Sequence, residues 1–123
     1  MQQLPTADEV RALVRPLDDR DRRVLGGLVL LMIREPARVR DQEWLAERFV
    51  EVAVVAHGFA ADEEQATSED VAVIEGYAKA RMRPVVNAAV ALFVRTADEL
   101  RARGGSYSLA DAHAVVRGYV GEG

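Results

Sequence analysis

The chain has 123 residues, half of them hydrophobic, and a net charge of −4 from 16 basic and 20 acidic side chains. That is the length of one ordinary domain, with enough buried surface to fold without crosslinks. The absence of cysteine excludes disulfides, thiolate zinc sites and cysteine nucleophiles; the acidic balance argues against a dedicated nucleic-acid binder, whose footprint is a basic excess.

No basic segment followed by an apolar run occupies the first ten residues, and no apolar stretch reaches the roughly 20 residues that a membrane-spanning helix needs. The expected setting is the cytoplasm, with neither a membrane nor nucleic acid as partner. All basic residues but Lys79 are arginine. They are interspersed with acids, which reads as a solvated surface rather than a phosphate-recognition patch. Such usage, with the many alanines and valines, is expected from GC-rich, bacterial coding DNA. Only Lys79, Arg81 and Arg83 form a cluster with few acids nearby.

Thr6 and Glu9 have the spacing of a capping box, which starts a first helix over about residues 7–15 with Val10, Leu13 and Val14 inward. Pro16 ends it, because the residue before a proline is biased away from helix. Asp18 or Asp19 caps the second helix, which carries an apolar run over residues 24–33 and stops before Pro36. The run is hydrophobic on every side and closed by charge at both ends. Such a helix is buried all round, so it is predicted to be the centre of a bundle. Gly26 and Gly27 sit inside it, each at a cost of about 1 kcal/mol against alanine. The simplest reason is a neighbouring helix crossing closely there, with a local kink as the alternative.

Asp41 reads as the N-cap of a third helix, about residues 42–57, with Trp44, Leu45, Phe49, Val52, Ala53 and Ala56 at helical spacing. Gly58 fits a left-handed C-cap with Phe59 folding back on the last turn. Residues 60–68 lack periodicity and read as the longest surface loop. Thr67 or Ser68 caps the next helix, and Thr67 with Asp70 repeats the box. An apolar series follows to Arg103: Val71, Ile74, Ala78, Met82, Val85, Val86, Ala89, Phe93, Ala97 and Leu100. It keeps phase across Pro84, which favours one kinked helix over two helices meeting at the proline. Gly104 and Gly105 end it. Ser108 and Asp111 box a last helix, about residues 109–120, with Leu109, Ala112, Val115, Val116 and Tyr119 inward and a fraying, glycine-rich end. The fold class that follows is all-α, a single domain over residues 1–123 with five or six helices.

These residues offer little chemistry. His57 and His113 have no second ligand at i+3 or i+4, and His57 suits a helix C-terminus. No nucleophile elbow and no phosphate-cradling loop occurs. Glu43, Glu47 and Glu51 line one face of the third helix. Such a row can hold Mg²⁺ through one or two oxygens while phosphates complete the shell, as in an all-α nucleotide pyrophosphohydrolase. That site needs further acids from a facing helix, for which Glu69, Asp70 and Glu75 are the available donors. Arg40 and Arg48 interleave with the row, so it reads more simply as a self-paired, solvated face. No catalytic residue, cofactor or metal site is assigned.

The remaining signal is apolar. Residues 84–94 are hydrophobic nearly all round, broken only by Asn87. One small bundle surrounds one helix fully, so the second is expected to be covered by a partner, the alternative being a six-helix packing in which both are internal. The function expected is a helical protein-interaction or oligomerisation module, regulatory or accessory, that forms a homodimer or docks on another protein. Val86, Val90, Phe93 and Val94 are the expected anchors, and Gly26 and Gly27 would permit close backbone approach. The alternatives are the Mg²⁺-dependent enzyme and a helical regulator with an internal ligand cavity.

Overall fold

Five polar side chains start five helices. The computed structural model describes residues 4–58, 67–104 and 108–121. Thr6 opens α1 (Ala7–Val14), Asp18 opens α2 (Asp19–Arg34), Asp41 opens α3 (Gln42–Ala56), Thr67 opens α4 (Ser68–Ala102) and Ser108 opens α5 (Leu109–Val120). Each accepts a hydrogen bond from the backbone amide three residues on, satisfying a donor that the helix itself leaves orphaned. The bond is returned by Asp21, Asp70 and Asp111, which completes three capping boxes. At Thr6 only the forward bond forms, 3.1 Å from the Glu9 amide. A 3₁₀ turn, Pro36–Arg38, joins α2 to α3. The fold is an all-α bundle; of the described residues 83% are helical and none is in a strand. Among them no helix is long and apolar enough to cross a membrane.

Helix α2 is the centre, as its apolar run predicts. Val24, Leu25, Leu28, Val29 and Met32 have no exposed surface, and α3, α4 and α5 all pack on this helix. The main core joins them to Val10 and Val14 of α1, Phe49 of α3, Val85 and Leu92 of α4 and Val116 of α5. A small satellite of Leu100, Ala112 and Val115 closes the end of α4 against α5. Gly58 takes a left-handed φ of +73°, as expected of a C-cap. Phe59, residues 60–66 and Gly105 lie outside the described residues.

Helix α4 runs through Pro84 as one element. The proline has no N–H, so the Ala80 carbonyl loses its helical partner; Ala80 is exposed, and water can take that bond. The inward face of α4 differs from the predicted stripe. Its buried residues are Ile74, Val85, Ala88, Ala89, Leu92, Thr96 and Leu100. Val71 is exposed, and Ala78, Met82, Val86, Phe93 and Ala97 are only half-buried. Apolar residues wrap more than half of this helix, so periodicity alone does not single out its inward meridian. Leu13 and Leu109, expected inside, are also exposed. Each sits within a turn of its helix end, where the neighbouring helices no longer cover it.

The two glycines of α2 part company. A Cβ on Gly27 would lie 2.7 Å from Val52 Cγ1 of α3, whereas one on Gly26 would meet nothing within 4 Å. Gly27 is therefore where α2 and α3 cross closely, within the chain. Valine is stiff about χ1 and cannot swing aside cheaply. Gly26→Ala should stabilise the fold by up to about 1 kcal/mol through helix propensity. Gly27→Ala should destabilise it by about 1–2 kcal/mol, the overpacking cost exceeding that gain. Combining it with Val52→Ala should recover most of the loss. Urea unfolding followed by circular dichroism measures all three.

Candidate functional site

Helix α4 is held at one end by a buried carboxylate that the sequence does not single out. Asp21, in the first turn of α2, has no exposed surface. Its Oδ1 accepts from the Tyr77 hydroxyl at 2.8 Å. Its Oδ2 accepts from Arg81 Nε at 3.1 Å and Nη2 at 2.7 Å, and from the Asp18 amide at 3.4 Å. Tyr77 and Arg81 are one turn apart, so both reach the same carboxylate. Burial pushes the Asp21 carboxyl upward, but the hydrogen bonds from Arg81, Tyr77 and the Asp18 amide outweigh it and hold the group below the usual carboxylate range. Burial, and then the hydrogen bond to Asp21, push the Tyr77 phenol far up. The Tyr77 ring also stacks on Phe49 at 5.8 Å and meets the His57 ring edge-on at 4.8 Å. One end of α2, α3 and α4 is thereby fixed together.

A second set ties α4 to α5. Glu99 Oε2 accepts from the Tyr119 hydroxyl at 2.6 Å and from Arg95 Nε at 3.1 Å. The Arg11 guanidinium of α1 lies 5.3 Å above the Tyr119 ring, a cation–π contact.

Between these fixed points α4 is longer than its neighbours. It has 35 residues against 16 in α2 and 15 in α3, about 52 Å against about 24 Å at the helical rise. On one flank of its central and C-terminal turns stand the end of α2, the 3₁₀ turn and the start of α3, with Leu4 beside them. They leave an open groove of about 1370 Å³. Ile33, Pro36, Val39 and Leu45 form one wall, and Met82, Val86, Val90, Phe93 and Val94 of α4 form the other. All four anchors expected on α4 therefore line it. Val86 and Phe93 also pack partly against the core, while Val90 is 36% exposed. Gly26 and Gly27 are not part of the lining.

The charges of the groove are segregated. Arg40, Lys79, Arg83 and Arg101 line it with Asp98 as the one acid among the described residues, a net +3 within a chain of −4. The sequence cluster Lys79, Arg81 and Arg83 is split by helical geometry: Arg81 turns inward to Asp21, and the other two stay exposed at the groove.

The other residues singled out in the sequence lie apart. Glu43, Glu47 and Glu51 are exposed, and Arg48 pairs with Glu51 at 3.0 Å and Glu47 at 3.6 Å. Asp70 serves the α4 capping box. Among the described residues no three His, Asp or Glu side chains group as a metal site would require. His57 Nδ1 lies 2.7 Å from the Ala53 carbonyl at the end of α3, and His113 is exposed. Compared with known proteins, the chain matches no protein family, no curated protein and no solved structure.

Removing one partner of a buried ion pair costs about 3–5 kcal/mol. Arg81 keeps 37% of its side-chain surface exposed and can rehydrate, so Asp21→Asn should cost about 2–3 kcal/mol at neutral pH. The lowered carboxyl contributes stability above its unfolded pKa near ~4 and loses it as pH falls through the folded value. The gap between wild type and Asp21→Asn should thus be full at neutral pH and shrink at more acidic pH. Unfolding titrations at several pH values measure it.

Proposed function

We propose that this chain is a helical protein-interaction module that receives an amphipathic helix of a partner protein in the groove along α4. The observation that carries the reading is the open line of Val86, Val90, Phe93 and Val94 on a helix already fixed to the core. Large apolar side chains in a concave surface are the usual anchor sites for a helix laid in a groove. The lining of α4 extends from Ala78 to Arg101, about 35 Å of helix axis, which suits a partner helix of roughly 20 residues. Small-molecule pockets hold about 300–1,000 Å³ and enclose most of their ligand; this groove is larger and open.

A second copy of the chain, the homodimer expected from the sequence, fits this face less well. A two-fold contact sets the same surface against itself. Two concave walls leave a void between them, and each brings a net +3. A Mg²⁺-dependent hydrolase draws no support from the Glu43, Glu47 and Glu51 row: Glu47 and Glu51 pair with Arg48, and among the described residues no facing carboxylates gather on it.

The test uses labelled 20-residue amphipathic helical peptides with a leucine ridge, read by fluorescence anisotropy, together with light scattering of the protein alone. A monomer that binds peptide saturably at 1:1 is expected. Val90→Glu should weaken binding at least about tenfold, or about 1.4 kcal/mol, with the unfolding midpoint nearly unchanged because Val90 is already exposed. It is a cleaner probe than Phe93→Glu, since Phe93 also supports the core. A dimer that dissociates in Val90→Glu would reassign the groove to a second copy. No peptide binding and no dimer would overturn the reading.

A further inference from the structure

We infer that the partner helix is acidic at both ends of its apolar ridge, with the acidic groups about five turns apart. This rests on the groove being a helix-docking surface, and adds the chemistry of the occupant. Arg83 and Arg101 are 18 positions apart on one continuous helix, which is five turns at 3.6 residues per turn. They therefore share a meridian of α4, about 27 Å apart along its axis. Lys79 stands one turn beyond Arg83 on the same side. Val90 and Val94 lie between the two cationic ends, so the lining reads basic, apolar, basic along its length.

None of Arg40, Lys79, Arg83 and Arg101 has a carboxylate within ion-pair distance among the described residues. Asp98, the one acid in the lining, lies 3.9 Å from Arg95. The chain as a whole is acidic, so this positive strip is an exception to its own surface. A helix with an apolar centre and glutamates or aspartates at both ends matches it in length and sign. A basic helix would meet like charge at each end, which selects against it.

The experiment compares three peptides with the same leucine ridge and with glutamate, glutamine or lysine at both ends, binding the full chain at about 150 mM and about 0.5 M salt. The glutamate peptide should bind about tenfold tighter than the glutamine peptide at the lower salt, with the gap closing at the higher. The combined variant Lys79→Glu, Arg83→Glu, Arg101→Glu should reverse the order, so that the lysine peptide binds best. If that variant loses its helical circular dichroism, single Arg83→Gln and Arg101→Gln variants replace it, and each should reduce the preference. Equal binding of all three peptides would overturn the acidic partner and leave the helix-docking groove standing. No binding by any of them would overturn both. Saturation by dodecanoate, with no peptide bound, would assign the strip to an anionic amphiphile and also overturn both.

Discussion

The bundle depends on one carboxylate without solvent. Asp21 completes the cap of α2 and, through the same two oxygens, takes Tyr77 and Arg81 of α4. Desolvating a carboxylate costs several kcal/mol, and removing one partner leaves that cost uncompensated. A slip of α4 by one turn would bring one of the two partners to the other's place and leave Asp21 short of the second, so this acid helps to set the register of the longest helix. The apolar surface is nearly continuous around α4 and would tolerate several registers. The polar contact discriminates where the hydrophobic one does not.

The register decides what α4 presents elsewhere. With Tyr77 and Arg81 turned inward, Lys79 and Arg83 stay exposed. Val85, Ala88 and Leu92 enter the core, and Val86, Val90 and Val94 are left along the groove. The same geometry that satisfies a buried charge exposes an apolar line and separates cations from acids. The groove thus lies on one flank of α4, while the opposite flank of the same turns carries Val85, Ala88 and Leu92 into the core.

The parts of this arrangement that are legible in the sequence are the local ones. A cap and the amide it accepts from are three residues apart, so all five helix starts could be placed, and Asp41 and Gly58 bounded α3 closely. The buried run of α2 was plain because it is apolar on every side. The inward meridian of α4 was not, because Val85, Val86, Ala88, Ala89, Val90, Leu92 and Phe93 offer several helical stripes at once. The partners of Asp21 lie 56 and 60 positions away, beyond any local rule, and an aspartate in the first turn of a helix is already accounted for by the helix dipole. The available signal was the pair Tyr77 and Arg81, a phenol and a guanidinium one turn apart on an otherwise apolar face. Val86, Val90, Phe93 and Val94 line the groove, but the excess of apolar surface that singles them out could not say which flank of α4 would stay open.

Pro84 gives this helix a mechanical character. The rung missing at the Ala80 carbonyl lies beside Arg81, inside the stretch from Ala78 to Arg101 that lines the groove. Bending stiffness is lowest where a rung is absent. The turns on either side of the gap are nevertheless held from outside: Tyr77 and Arg81 bind Asp21 before it, and Val85, Ala88, Ala89 and Leu92 seat the helix in the core after it. The gap in the hydrogen-bond ladder of α4 is bridged by tertiary contacts on both of its sides.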